Sequence, residues 1–251
     1  MKRKYERLSR LLCGVKCIFT GLSNVCCRKA DATPQRRLIV MCTYTSNDWL
    51  SWIDQLAEQD FVIIDEAITP AFFQTLRKPF EWRLHEEDAF HRAGIGAGNE
   101  YHQNTRRRGD WVYWLEEDRD VAFAPFFEWM KTWREQLNRH CFLSLSDAEF
   151  HLAYYPPGSF YERHLDQFQG RDNRLISVVL YLNESWQPRG GGQLRLYLND
   201  GTTKDIAPVS RRLVLFRSDT LEHEVLPTVS GRYSLTGWLL RKPAELGVLQ
   251  V

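Results

Sequence analysis

His164-Leu165-Asp166, His223 and Arg232 are the residues of this chain whose types and spacing point most directly to chemistry. In an extended segment, residues i and i+2 project to one side, so the His164 imidazole and the Asp166 carboxylate can converge on one ion. His223, near the start of a later strand-like stretch, offers a second imidazole. Two His and one carboxylate occupy one face of an ion and leave the opposite positions open, an arrangement suited to non-haem Fe(II). Zinc accepts the same donors, so ligand type alone does not choose the metal. Arg232 follows His223 by nine residues, in the apolar run GRYSLTGWLL. A guanidinium there needs an anion; a bound dicarboxylate meets it with bidentate geometry, and a salt bridge to a local acid is the plainer alternative. H-x-D alone is weak, but H-x-D, a distal His and an Arg one strand later, all in a β-rich half, is selective. His85, His91, His102, His140 and His151 have no metal-like spacing and are read as non-ligands.

The elements that must position these side chains follow from hydrophobic period. From Ala148 onward the pattern is strand-like, with expected strands at 148–155, 174–182, 192–199, 202–207, 211–217, 223–226 and 231–240. Turn signals separate them, notably Pro156-Pro157-Gly158, Gly190-Gly191-Gly192 and Asn199-Asp200-Gly201. Many short strands at this spacing indicate an antiparallel sandwich or barrel. Ahead of them the period is helical. Ser46-Asn47-Asp48 offers caps for a helix with Trp49, Leu50, Ile53, Leu56 and Ala57 on one face. A buried strand at 61–64 follows, then a helix opened by Thr69-Pro70 and running to about Leu76. Pro125 opens the strongest helix, with Phe126, Phe127, Trp129, Met130, Trp133 and Leu137 on its apolar side. Residues 93–109 form a long loop, glycine-rich at one end and basic at the other. Its Gly94-x-Gly96-x-Gly98 lacks the strand–helix context of a dinucleotide fingerprint, and Arg106-Arg107-Arg108 reads first as a solvated run, with docking second. Helices first and strands afterwards predict an α+β fold.

The 251 residues suffice for one sizeable domain with extensions, and 43% hydrophobic with 26% charged residues is ordinary globular composition. A net charge of +1 gives no argument for nucleic acid or membrane as partner. Four of the six cysteines (Cys13, Cys17, Cys26, Cys27) fall in the first thirty residues, so the body has no disulfide framework and reads as cytoplasmic. Residues 1–40 are basic and Cys-rich. Lys16 interrupts their apolar stretch, which argues against a secretory signal, and their cysteine spacing departs from double C-x-x-C zinc sites. They are expected to be an appendage, disordered or an over-extended start with Met41 as initiator, ahead of a catalytic domain at 41–251.

The motifs extend beyond the triad: Arg108-Gly109-Asp110, Trp114-Leu115-Glu116, Tyr155-Pro156, Tyr161-x-Arg163-His164-x-Asp166, Tyr181-Leu182-Asn183, Gly191-Gly192-x-Leu194, His223-Glu224-Val225-x-Pro227 and Arg232-Tyr233-x-x-Thr236-x-Trp238. From about Asp48 to Arg241 the chain resembles the prolyl hydroxylases of the hypoxia-inducible-factor type and their bacterial relatives. The resemblance implies a double-stranded β-helix (jelly-roll, cupin-like) core supported by N-terminal helices. It implies Fe(II) on His164, Asp166 and His223, and 2-oxoglutarate held by Arg232, with Tyr181 and Thr236 hydrogen-bonding nearby, Tyr155 at its metal-bound end and Leu194 as an apolar wall. Loop 93–109 matches a substrate-covering loop; Arg174, Arg108, Asp110 and Trp238 match substrate-side positions. The implied reaction is dioxygen-dependent hydroxylation of a protein proline at C4, with succinate and carbon dioxide as co-products and ascorbate as reductant. Elongation factor Tu is the first candidate target, and the expected state is a monomer. A hydroxylase of free amino acids or other side chains, and a non-catalytic β-barrel scaffold, are the alternatives. A nucleic-acid demethylase fits less well, because the next arginine after Arg232 is the distant Arg241.

Overall fold

The structure, a computed structural model, describes Cys42 and residues 44–94, 107–167 and 173–241. The chain divides into two units, Met1–Leu38 and Ile39–Val251, and every described residue belongs to the second. The N-terminal appendage and most of loop 93–109 therefore lie outside the described residues.

Three helices precede most of the strands. Helix α1 (Ser46–Gln59) begins one residue earlier than the expected caps: Thr45 is the N-cap, and a reciprocal capping box joins its side chain and backbone to Asp48. Its inward arc is Trp49, Trp52, Ile53 and Leu56, whereas Leu50 and Ala57 lie at the edge of that arc and are exposed. Trp52 takes their place by stacking on Trp133 at 5.6 Å. Helix α2 (Pro70–His85) opens as expected, with Thr69 accepting from the Phe72 amide, but continues past Leu76 and through Pro79. Phe72, Phe73, Leu76, Arg77 and Phe80 keep one face buried along it, and that burial outweighs the backbone hydrogen bond the proline removes. Helix α3 (Ala124–Cys141) carries Pro125 in its first turn and buries Phe126, Trp129, Met130, Trp133 and Leu137.

Eleven strands make two antiparallel sheets among the described residues. In chain order they are β1 (Phe61–Ile64), β2 (His91–Arg92), β3 (Trp111–Trp114), β4 (Leu145–Tyr155), β5 (Tyr161–His164), β6 (Arg174–Tyr181), β7 (Leu194–Tyr197), β8 (Thr203–Ile206), β9 (Leu213–Arg217), β10 (His223–Val225) and β11 (Arg232–Arg241). The larger sheet runs β1-β9-β6-β11-β4-β3-β2 and the smaller β5-β10-β7-β8. This is the double-stranded β-helix arrangement, as expected. All seven expected strands are present with ends shifted by up to three residues; β2, β3 and β5 are additional. β2 has only two residues, and β3 and β5 have four each, too few to show a period.

Side-chain alternation divides the core in two. On β6, Ile176, Val178 and Leu180 join the helices, while Val179 and Tyr181 turn the other way. On β9, Leu213 and Leu215 face the helices, and Val214 and Phe216 meet Leu194, Leu196 and Ile206 of the smaller sheet. The helices thus brace one face of the larger sheet and leave the opposite face to build a pocket.

Asp120, its carboxylate fully buried, ties this scaffold together. One oxygen accepts from Tyr113 Oη at 2.7 Å and Arg83 at 3.2 Å, the other from the Glu116 amide and Arg119, each at 2.9 Å. Burial opposes its charge, but the Glu116, Tyr113 and Arg119 hydrogen bonds together with the Arg119 charge hold it below the usual carboxylate range. Its contribution is therefore complete above the unfolded aspartate pKa near 3.9 and fades as pH falls through the lower folded value. Asp120→Ala is expected to cost about 3 kcal/mol at pH 7. Denaturant melts should show the gap from wild type narrowing below pH 4; a pH-independent gap would assign the loss to packing instead.

Candidate active site

His164 ends β5, and Asp166 sits two residues later in a bend, so the two do not share a strand as their spacing had suggested. The convergence is tertiary. β10 lies between β5 and β7, and His223 pairs in register with His164. The imidazole centroids are 4.3 Å apart. Asp166 Oδ1 is 3.5 Å from His164 Nε2, and Asp166 Oδ2 is 3.5 Å from His223 Nε2. The three ligand atoms lie within 4.8 Å of one another, and they form the one such His/Cys/Asp/Glu cluster among the described residues.

Backbone geometry selects the ring nitrogen. His164 Nδ1 lies 2.7 Å from the Glu162 carbonyl, and His223 Nδ1 lies 3.2 Å from the Leu221 carbonyl. A carbonyl only accepts, so each Nδ1 carries the proton and each Nε2 lone pair points at Asp166 and the ion position. Asp166 is 8% exposed. Burial works against its charge, but His223, His164 and the Ser177 hydroxyl, which donates at 2.6 Å, hold it far below the usual range. Burial, against the pull of Asp166, lowers His223 to about 4, so it is a neutral ligand near pH 7. Tyr161 stacks on His164 at 3.7 Å and carries the Arg108 guanidinium 4.1 Å above its own ring.

The triad opens into a cavity of about 350 Å³, whose opposite wall is the inward face of β4 and β11. Arg232 is 3% exposed there. Its Nε donates to the Gly192 carbonyl at 3.0 Å and its NH1 to Ser234 Oγ at 3.1 Å. The rings of Tyr155 and Tyr181 lie about 5 Å from its guanidinium carbon. No carboxylate among the described residues pairs with it, so the local salt-bridge alternative is removed. Gly192 makes room: at φ +73° a Cβ would come within 2.9 Å of Thr228 and 3.2 Å of the Arg232 side chain. The Tyr181 hydroxyl is sealed from solvent without a partner that satisfies hydrogen-bond geometry. Burial raises its pKa, against the opposing charge of Arg232, so it remains a donor. A buried cation without an acid and an orphaned buried hydroxyl together call for an anionic acceptor.

The remaining expected residues fall as follows. Tyr155, Leu194, Thr236 and Trp238 line the cavity. Thr236 donates to Ser234 at 3.1 Å. Arg174 also lines it, stacked 3.5 Å over Trp238 and bonded to Glu149 at 2.6 Å. Arg108 reaches the cavity, but both Asp110 oxygens receive its guanidinium and Asp110 is 1% exposed. Asp110 thus anchors Arg108 from beneath instead of facing a ligand. Arg107 makes an exposed pair with Glu162 at 3.0 Å, in keeping with the solvated reading, whereas Arg108 is taken up by the fold. Ser177, Ser218, Ser234 and Tyr161 had no assigned role. The two β-strand serines carried a legible signal, as hydroxyls at inward positions of otherwise apolar strands. The bond from Ser177 to Ser218 at 2.8 Å was visible only in three dimensions.

The donor set suits Fe(II) with open positions, and the Arg232–Tyr181 end suits the remote carboxylate of a keto diacid. Residues 150–240 match the family described as the 2OG-Fe(II) oxygenase superfamily. A Pseudomonas putida prolyl-4-hydroxylase crystal structure is 37% identical, with 78% of this chain and all of that one covered at a TM-score of 0.70. A Trichoplax adhaerens prolyl hydroxylase, solved with a hypoxia inducible factor oxygen degradation domain peptide fragment, is 26% identical and also superposes at 0.70, over 76% of this chain and 88% of that one. The hypoxia-inducible factor prolyl hydroxylase of Caenorhabditis elegans is 41% identical over 95 residues, 36% of this chain and 13% of that protein. Among the curated relatives it matches, the chain spans between 13% and 58% of their length. With its triad, its buried arginine and these likenesses in agreement, the chain belongs to the 2-oxoglutarate- and Fe(II)-dependent oxygenases, among relatives of the prolyl hydroxylases.

Proposed function

We propose that the chain hydroxylates a prolyl residue of a protein, using Fe(II) and 2-oxoglutarate. The observation that carries this reading is Arg232, buried with no acid partner among the described residues and facing the same cavity as the His164–Asp166–His223 cluster. When bound, the iron and the keto acid supply the oxidising chemistry, decarboxylation coupled to insertion of one oxygen atom into a C–H bond. The chain itself supplies position. His164, Asp166 and His223 would hold the ion by one face, and Arg232 and Tyr181 would hold the remote carboxylate of 2-oxoglutarate. Val179, Leu194, Phe216 and Val225 line the cavity with apolar surface and exclude water from the reacting atoms. Trp114, 46% exposed, and Trp238 give it an aromatic mouth that suits an apolar pyrrolidine ring. The choice of a protein proline over a free amino acid rests on the likeness to the P. putida and T. adhaerens enzymes, the second of which holds a peptide. Hydroxylation at C4, ascorbate as reductant and elongation factor Tu as first target follow from the same resemblance, and a cytoplasmic setting from the lack of a disulfide framework in the body. No helix among the described residues is long and apolar enough to cross a membrane.

Three variants and one substrate search test the reading. Asp166→Ala should abolish Mn(II) binding by calorimetry and 2-oxoglutarate-dependent succinate release, and retained turnover would refute the triad. Arg232→Ala should weaken 2-oxoglutarate binding by about a hundredfold while leaving Mn(II) affinity unchanged; equal losses would count against its anchoring role. Ser177→Ala, which frees Asp166 Oδ2, should lower metal affinity on the order of tenfold without changing the melting temperature appreciably. For the substrate, purified chain with Fe(II), 2-oxoglutarate and ascorbate is incubated with lysate proteins and their peptides are mapped. A gain of one oxygen on proline is expected, whereas oxidation confined to free metabolites would overturn the protein-directed assignment.

A further inference from the structure

His151 lies on the cavity wall and takes no part in the contacts described so far. It is 5% exposed, it shares the inward side of β4 with Glu149, Ala153 and Tyr155, and its Nδ1 is sealed without a hydrogen-bond partner. The rings of Trp114 and Trp238 flank it at 4.9 and 5.5 Å. A polar ring atom sealed this way is costly unless the residue is kept for a ligand.

Strand register places His151 between the two ends of the pocket. Along β11, Arg232 pairs with Tyr155, Ser234 with Ala153 and Tyr181, Thr236 with His151 and Val179, and Trp238 with Glu149 and Ser177. Arg232 marks the first of these rows and Ser177, which holds Asp166, marks the last. A molecule gripped by Arg232 at one end and by the metal cluster at the other must cross the row of His151, Thr236 and Val179. An orphaned N–H is the costlier choice for the sealed Nδ1, so the proton belongs on Nε2, the nitrogen left to face the cavity.

We propose that His151 is a further cosubstrate-binding residue, its Nε2–H donating a hydrogen bond to the metal-end carboxylate of 2-oxoglutarate. This rests on the site reading given above. Burial, reinforced by the nearby charge of Arg108, depresses its pKa to about 3, so the imidazole is neutral near pH 7 and donates without adding a charge. Arg232 and Tyr181 then hold one end of the diacid, while His151 orients the other over the metal face.

The test compares His151→Leu, which keeps bulk and removes the donor, with His151→Gln, whose amide nitrogen can stand near Nε2. Full-length protein is loaded with redox-inert Mn(II) and titrated with 2-oxoglutarate, followed by calorimetry and by fluorescence of the flanking tryptophans. His151→Leu should weaken 2-oxoglutarate binding by about tenfold to a hundredfold, and His151→Gln by no more than about threefold, with Mn(II) affinity unchanged in both. Wild-type affinity in His151→Leu, or equal losses in the two variants, overturns the proposal. Arg232→Ala separates this from the wider reading. If wild type binds 2-oxoglutarate, Arg232→Ala does not and His151→Leu does, only the His151 assignment falls. If wild type binds Mn(II) but no 2-oxoglutarate, both fall.

Discussion

Each imidazole of the metal cluster is tied through Nδ1 to the carbonyl two residues before it, His164 to Glu162 and His223 to Leu221. The rest of the site depends on that constraint. It leaves both Nε2 lone pairs free on the same side, where the Asp166 carboxylate stands 3.5 Å from each. Asp166 is in turn oriented by Ser177 of β6, which is bonded to Ser218 in the turn after β9, so the ligand set is held from behind by two hydroxyls at the larger sheet. Such outer contacts fix ring orientation and ligand basicity before any ion arrives.

The second requirement is a cation in the interior with no carboxylate among the described residues to neutralise it. Burying Arg232 without an acid costs the fold several kcal/mol relative to leaving it in water, and its bonds to Gly192 and Ser234 offset only part of that. On the proposed reading an incoming dicarboxylate would recover the remainder, which would make the site selective for an anion of suitable length. The fold can carry this cost because the opposite face of the same sheet is packed by α1, α2 and α3. Phe72, Phe126, Trp129 and Trp133 are buried there against Phe150, Val178 and Leu235. Period-two alternation along β6 and β11 separates the two tasks within single strands.

The chain of residues 107–110 links this site to its surroundings. The Arg107 carbonyl accepts from the Glu162 amide, the Gly109 amide donates to the Phe160 carbonyl, and Arg108 covers Tyr161, which stacks on His164. The buried Arg108–Asp110 pair holds this segment against the strand that carries the first metal ligand. Of the basic tripeptide's described residues, Arg107 is solvated as the sequence suggests and Arg108 is structural.

How much was legible beforehand follows from which interactions are local. Proline at the first turn of α2 and α3, the seven strands of the β-rich half and the inward column Arg232, Thr236 and Trp238 are near-neighbour matters of period and backbone preference. The sequence by itself therefore determined the class of fold and singled out the residues, His164, Asp166, His223 and Arg232, that the structure brings to one cavity. It misjudged Leu50, Ala57, the end of α2 and the shared strand of His164 and Asp166, because Trp133, the core beneath Pro79 and the pairing of β5 with β10 lie far away in the chain. Only the tertiary structure decided which nitrogen each histidine offers, that Arg232 meets no acid among the described residues, that Asp110 serves Arg108, and that His151 stands between the two ends of the pocket. The histidine and Asp110 contacts span two residues, but they depend on rotamers and backbone turns that strand pairing imposes, whereas the surroundings of Arg232 and His151 come from strands far apart in the chain, so no local pattern encodes either.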